Sequence, residues 1–441
     1  MRNEGGIAVL GRPYRTVACV TGHQDESDIA DAAIDGDRPI RTGTARAALG
    51  SPLFRRVYTG ALLSNIGTWM QNVTLAAFAF QLTGSETFVG LVVFAQLGPL
   101  LIFSLVGGAL ADAFDRRTLL IGVAVAQTAL SLVLASIIGG ADPNRLAILG
   151  VVFLIGVGQA IHAPTFTSVL PSLVRREDLA GAVSLQSANL NASRVIGPAI
   201  GGVVYATVGA SWAMVGNAAS YLFIIGVLLS VRFPSVAPST ESGLRRILGG
   251  FHVAARDRVV RRCLLTMVGF SFFCLPFVTQ MAAVADRNFG IPPDSARYGL
   301  LYATFALGSL MGALSIGTFL SRRPLPRVAR AGLVAFAVSL GAFAFLRSAA
   351  LAYPVGLVIG FSYFATVTAL STVLQTRLAD HERGRVMALW IMAFGGTVPI
   401  GGLVFGPVME ATSVSVVLAA GAVVALLLLP LADLRDRSDA L

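Results

Sequence analysis

Arg194 lies about halfway along a largely apolar stretch, within SANLNASRVIGPAIGG at residues 187–202. In a bilayer a guanidinium at that depth costs roughly 2.5–3.5 kcal/mol on insertion scales, so it must face protein or water. Ser187, Asn191, Arg194, Pro198 and Gly201 fall on one helical face and form a polar stripe that points inward. Two chemistries fit Arg194: bonding to carbonyls and amides of neighbouring helices, or offering positive charge to an anionic group on a bound molecule. His162, three residues after Gln159 in another apolar stretch, is a candidate proton carrier, with packing as its other role. Cys19, Cys263 and Cys274 have no metal-ligand spacing, and no carboxylate lies near His162 in sequence. No metal, cofactor or catalytic cluster is therefore expected. The chain also lacks a lysine-bearing phosphate loop, which argues against ATP-driven transport as well as against an enzyme.

A second group of residues suits helix packing and gating. GALADAFDRR, residues 108–117, closes an apolar run with a small-residue face, an acid and an arginine pair. Gly108 is expected to let two helices approach closely. Asp112 is expected to meet the N-terminus of another helix, where the macrodipole favours an anion, so that it latches the ends of two bundles near Arg383, Gly384 and Arg385. The plainer alternative makes Asp112 a solvated loop acid and Arg116 and Arg117 simple anchors. Gly197, Pro198, Gly201 and Gly202 combine a GxxxG face with a proline that cannot complete the helical ladder.

These residues need long apolar helices to position them, and the composition supplies them. Of 441 residues 55% are hydrophobic and 13% charged, and the mean hydropathy of +0.76 is far too high for a soluble chain of this size. Spans are expected at 58–82, 87–112, 118–139, 146–170, 180–207 and 210–231, then at 263–285, 298–320, 327–346, 350–374, 385–408 and 413–432. The result is an all-α polytopic membrane protein of 12 helices, with a six-helix half at 54–231 and another at 263–432. Residues 1–53 are polar and acidic, with no signal-peptide pattern, and are expected to be a disordered cytoplasmic tail or the product of an early start; 433–441 is a short second tail. The connection 232–262 carries Arg245, Arg246, Arg256, Arg258, Arg261 and Arg262 and is expected to be a partly amphipathic cytoplasmic linker.

The net charge of +10 comes from arginines set between apolar runs and not along one stripe, so it speaks for membrane orientation and against nucleic acid. Alternate loops are lopsided. One side holds Arg55, Arg56, Arg116, Arg117, Arg175, Arg176, the linker, Arg322, Arg323, Arg327, Arg377, Arg383, Arg385, Arg435 and Arg437, whereas the other holds Arg145, Arg287, Arg297 and Arg347. This predicts a plasma-membrane protein, monomeric, with both termini in the cytoplasm.

The halves repeat each other. RREDLAGAVSL before the fifth span matches DHERGRVMAL before the eleventh, and GPAIGG matches VPIGG; ALADAFDRR matches SIGTFLSRR, which keeps Arg322 and Arg323 but has Thr318 where Asp112 stands. With this repeat and with Gly108, Asp112, Arg116 and Arg117 in place, the chain resembles the major facilitator superfamily from about Phe54 onward. Asp115 in place of the signature's second glycine, NIGTWMQ in the first span and RGRVMAL before the eleventh are similar to the branch of the enterobactin exporter and the transmembrane secretion effectors. The resemblance implies the major facilitator fold, alternating access, a gating role for the 108–117 loop and, for the 197–202 motif, an antiporter signature associated with export. The superfamily's usual arginine in the fourth span is absent, with Val152 and Phe153 in that region, which weakens the case for proton coupling.

In such a fold the first, fourth, seventh and tenth spans line the cleft. They offer Asn65, Thr68, Trp69 and Asn72, then Gln159 and His162, then Phe270, Phe273, Phe277 and Gln280, then Tyr363 and Thr366. Aromatics with scattered amides suit an amphiphilic small molecule better than a sugar or an inorganic ion. Glu86, Asp286 and Glu410 fall at the outer ends of spans and are expected to be solvated. The function expected is a proton-coupled exporter of a siderophore, antibiotic or other metabolite. A lysophospholipid flippase of the same fold and a non-transporting membrane sensor are the alternatives.

Overall fold

The computed structural model describes residues 43–231 and 243–434, with the side chains of Leu105, Asp112, 243–248, Asp380 and His381 left aside. Among the described residues the protein is helical throughout, with no strand. The first half contains spans Pro52–Thr83, Glu86–Ala113, Arg116–Ile138, Arg145–Val169, Leu179–Val208 and Ala210–Ser230. The second contains a broken seventh span from Arg258 to Phe289, then Ala296–Gly317, Leu325–Phe345, Ala349–Arg377, a broken eleventh span from Asp380 to Ala411, and Val414–Leu427. Helix starts are set by local capping. Ser51, Ser85, Asp115, Asn144, Asp257, Ser295 and Ser413 each accept a backbone N–H of the first turn.

Eight of the spans are long and apolar enough to cross a membrane by length and composition. The first and fifth fall short because they carry polar residues that face inward: Ser64, Gln71 and Thr74 in the first and Asn189 and Ser193 in the fifth are all buried. Large exposed side chains such as Ile102, Leu146, Val338 and Leu427 are apolar, as a lipid-facing exterior requires.

The expected tail at 1–53 lies mostly outside the described residues, but its described part is not irregular. Ala45–Gly50 is a short helix capped by Thr44, and the first span begins at Pro52 with Ser51 Oγ donating to Leu173 O at 2.9 Å. The linker likewise contains a helix, Gly243–Arg256, while 232–242 lies outside the described residues. This helix rests on the start of the eleventh span. A Cβ on Gly250 would come within 2.6 Å of Arg385 O, and one on Gly249 within 2.8 Å of Arg385 Cδ.

Two spans expected to be continuous are interrupted. The seventh widens into a π-helical turn at Phe270–Cys274 and breaks again before Met281; the eleventh widens into one at Met392–Gly396 and then continues as Thr397–Ala411. Pro276 and Pro399 follow these turns, and each lacks the N–H that a regular ladder needs at that point.

The halves meet along two seams, the fifth span against the eighth and the second against the eleventh. Both bring backbone against backbone at the end that bears the arginine-poor loops. There a Cβ on Gly202 would lie 2.6 Å from Gly299 Cα, and one on Gly90 would lie 2.6 Å from Gly402 O. Backbone on backbone at this distance leaves no room for a side chain.

Candidate functional site

Between the halves lies a cavity of ≈260 Å³. Its first-half wall contains Trp69 and Asn72 from the first span, Gln96 from the second and Arg194 from the fifth. The facing wall is aromatic, with Tyr298, Tyr302 and Phe305 from the eighth span, Tyr363 and Phe364 from the tenth and Phe394 from the eleventh. Val278 and Thr279 of the seventh span and Gly395 of the eleventh also line it, so both interrupted helices border the cavity. A larger groove of ≈710 Å³ along the second, third and fourth spans is lined almost wholly by apolar side chains and contains no charge, as suits contact with lipid.

Polar groups cluster in the first half. Gln96 Nε2 donates to Asn72 Oδ1 at 2.6 Å, Asn65 Nδ2 to Asn189 Oδ1 at 2.9 Å, and Gln159 Nε2 to Tyr221 Oη at 3.1 Å. Deeper, Ser131 Oγ and Asn217 Nδ2 both donate to Gln71 Oε1, at 3.1 and 2.9 Å. The second half answers with packed rings. Phe305 stacks on Tyr363 with centroids 6.1 Å apart, and Phe277 and Phe336 stand behind them.

Arg194 is half-buried on the cavity wall. Its guanidinium carbon lies 5.3 Å from the Trp69 ring centroid and 5.4 Å from that of Phe364, so a ring from each half attends it. Of the expected cavity residues, Arg194, Trp69, Asn72 and Tyr363 are in the lining; the others are placed elsewhere. Asn65 and Gln159 are tied into the first-half network. Asn191 Nδ2 donates within its own helix to Ser187 O at 2.9 Å. His162 stacks on Phe166 at 5.7 Å, and the fourth span contributes nothing to the described lining. Phe273 is 42% exposed and packs edge-on against Phe272 and Phe405, while Phe277 is buried behind the wall.

The eighth span had not been expected at the cavity, although its signal is in the sequence. Tyr298, Tyr302, Phe305 and Ser309 recur at helical spacing and make one stripe.

Gln280 belongs to the seam and not to the cavity, since its Nε2 donates to Glu86 O at 2.8 Å. Glu86 itself is 2% exposed, against the expectation of a solvated acid. Arg287 Nε lies 3.4 Å from its Oε1, and Oε2 is buried without a hydrogen-bond partner. Glu410, at the end of the eleventh span, accepts from Ser85 Oγ at 3.0 Å, from Thr87 N at 3.4 Å and from Thr87 Oγ1. An acid of one half thus sits at the N-terminus of a helix of the other, where the helix dipole favours it. Gln81 Nε2 of the first span adds a separate bond between the halves, to Asp294 Oδ2 at 2.8 Å in the loop before the eighth span.

At the arginine-rich end the 108–117 loop does more than anchor. Arg116 Nη1 donates to Ser168 O at 3.2 Å, and Arg117 donates to Leu228 O and Leu229 O at 2.8 and 2.7 Å. The pair therefore covers the open carbonyl ends of the fourth and sixth spans, where a cation also opposes the dipole. Asp115 accepts from Thr118 N at 2.8 Å and from Thr118 Oγ1 at 2.7 Å, and these bonds hold its carboxyl below the usual range. This explains why an acid can replace the signature's second glycine. The packing role expected of Gly108 falls to its neighbour. A Cβ on Gly107 would meet Ala160 O at 2.5 Å, whereas one on Gly108 would meet nothing. The side chain of Asp112 lies outside the described residues; Arg383 Nη2 donates to Leu378 O at 3.4 Å, and Gly384 is exposed. In the fifth span, Gly197 faces Trp69 Cβ and Ile66 O, Gly201 faces Thr74 and Met70, and Pro198 O and Gly202 face Gly299, so the whole motif packs helices.

Comparison with known proteins agrees with this architecture. The chain is similar to the staphyloferrin A transporter of Staphylococcus aureus (strain NCTC 8325 / PS 47), 25% identical over 78% of this chain and 87% of that protein. It is similar to the enterobactin exporter EntS of Shigella boydii serotype 4 (strain Sb227), 28% identical over 77% of this chain and 81% of that protein. Its fold matches the crystal structure of a bacterial homologue of the human lysosomal transporter Spinster, inward-facing and unoccupied, with a TM-score of 0.69 at 15% identity, covering 87% of this chain and 97% of that one. The family model described as transmembrane secretion effector matches residues 43–437. The chain is a multi-pass membrane protein with the major facilitator fold, and it belongs to the transmembrane secretion effector family of transporters.

Proposed function

We propose that the protein is a secondary active exporter that carries an amphiphilic small molecule out of the cytoplasm across the plasma membrane, driven by the proton gradient. The observation that carries this reading is the cavity between the halves, sealed at its arginine-poor end by glycine seams and lined, among the described residues, by one cation with rings and amides around it. The arginine asymmetry supports an orientation with the arginine-rich end and both termini in the cytoplasm, in which the sealed end is the outer one. Rocking one half against the other about the two seams then exposes the cavity to each side in turn, and one copy of the chain suffices for the cycle. The names of the two sequence relatives support a siderophore or similar metabolite as cargo. His162, in the membrane interior, and the carboxylates of the outer seam are the groups through which a proton can be exchanged.

The test is accumulation of radiolabelled enterobactin and staphyloferrin A in cells with and without the protein, each with and without a protonophore. Expression should lower accumulation and the protonophore should abolish the difference. Equal accumulation in all four conditions for both compounds and for other amphiphilic metabolites overturns the reading, and a difference that persists undiminished in the presence of the protonophore removes proton coupling.

A further inference from the structure

We infer that Arg194 is the anchor for an anionic group on the cargo, and hence that the substrate class is an amphiphilic acid whose carboxylate or phenolate lies beside a planar ring. The inference deepens the transport reading and rests on the cavity being the cargo site.

Trp69 and Phe364 satisfy the charge of Arg194 only through their π faces, which offer no lone pair to its five N–H donors. Among the described residues no hydrogen bond or ion pair reaches this guanidinium, and no carboxylate lines the cavity. Among the polar groups of the lining, the hydroxyls of Tyr302 and Tyr363 make no hydrogen bond to the guanidinium among the described residues, and two further groups are already engaged. Asn72 Oδ1 already accepts from Gln96, and Ser309 Oγ donates back to Phe305 O at 3.0 Å.

A structural arginine at this depth would hold the carbonyls of adjacent helices, as Arg116 and Arg117 do at the helix ends. Arg194 holds none among the described residues. A planar fork of donors, half-buried and without a hydrogen-bond partner among the described residues, matches the two oxygens of a carboxylate or the single oxygen of a phenolate. The surrounding rings of Tyr302, Phe305, Tyr363 and Phe394 supply a flat apolar surface for the rest of the molecule.

The test uses dansylglycine and its uncharged amide, which share one ring system and differ in the carboxylate. Binding of each to the full chain in phosphatidylcholine nanodiscs is followed by dansyl fluorescence. The wild type should bind the acid at least about tenfold more tightly than the amide, the scale of a charge-assisted pair. Arg194→Gln should erase the preference, and Arg194→Lys should retain part of it. A wild type that does not discriminate overturns the proposal without any variant, and so does an Arg194→Gln protein that discriminates as well as the wild type. Movement of both probes into proteoliposomes under a pH gradient separates the two readings. Arg194-dependent preference without movement keeps the anchor and removes transport, whereas movement of both probes at equal rates keeps transport and removes the anchor.

Discussion

Gly107 and Gly108 are adjacent, yet the structure assigns the close helix approach to the first alone. Gly107→Val would drive atoms into the backbone of the fourth span at Ala160 and Ile161, which cannot move aside as a side chain can. It should cost about 1–3 kcal/mol or more of stability, while Gly108→Ala should stay within about 0.5 kcal/mol of the wild type. Thermal unfolding of the two purified variants checks this, and equal loss in both would return the role to Gly108. The sequence could not distinguish them because a loop signature records which residue recurs and not which way its Cα faces. Arg194 was legible for the opposite reason, since a guanidinium halfway along an apolar run has few places to go. Glu86 was misjudged because its position at a helix start resembles that of a solvated cap; only the arrival of Gln280 and Arg287 from the other half buries it. Such a contact joins residues with sequence separations near 200 and leaves no periodic trace.

Among the elements, the twelve spans could be read from hydropathy and the likeness of the halves from matching motifs, but the π-helical turns of the seventh and eleventh spans could not, because period-3.6 patterning assumes a regular ladder. The linker helix was anticipated as an amphipathic segment, though its seat was not. It is fixed at its end by Asp257, which caps the next helix through Val259 N at 2.8 Å and Val260 N at 3.2 Å and receives Arg377 Nε at 2.6 Å from the tenth span. Partial burial pushes the Asp257 carboxyl up, but the bonds from Arg377 and the two backbone N–H groups outweigh it and leave the carboxyl below its usual range. A carboxyl depressed on folding contributes stability above its unfolded value of about 4, and that contribution fades as pH falls through the lower folded value. Asp257→Asn keeps the cap but not the charge. Its unfolding midpoint should therefore lie below the wild type's at pH 7, and the gap should close as the pH is lowered past 4. A gap that is constant across this range would mean that the ion pair contributes nothing to the docking.

For the molecule as a whole, the arrangement divides labour between related halves: amides and a cation on one side of the cavity, rings on the other, and a seal at one end made of backbone. The seal has two parts with different consequences when broken. Arg287 is half exposed, so Arg287→Ala leaves a buried Glu86 carboxylate without its cation at a cost discounted by solvent, about 1–2 kcal/mol, which shifts the balance between closed and open forms of that end about 5- to 30-fold. Gly202→Val is more severe, because its side chain would occupy the position of Gly299 Cα and neither backbone can withdraw while the seam stays shut. Spin labels on Gly140 and Thr412, exposed positions on opposite halves at the arginine-poor end, report the outcome in a background without native cysteines. The wild type should give mainly a short distance, Arg287→Ala a mixture, and Gly202→Val the long distance alone. If transport requires this end to close once in every cycle, Gly202→Val should also lose efflux while keeping the Arg194-dependent binding of an anionic probe, because Gly202 itself does not line the cavity. A Gly202→Val protein that still shows the short distance would mean that the seam yields, and one that stays open yet transports at the wild-type rate would remove rocking about these seams from the mechanism.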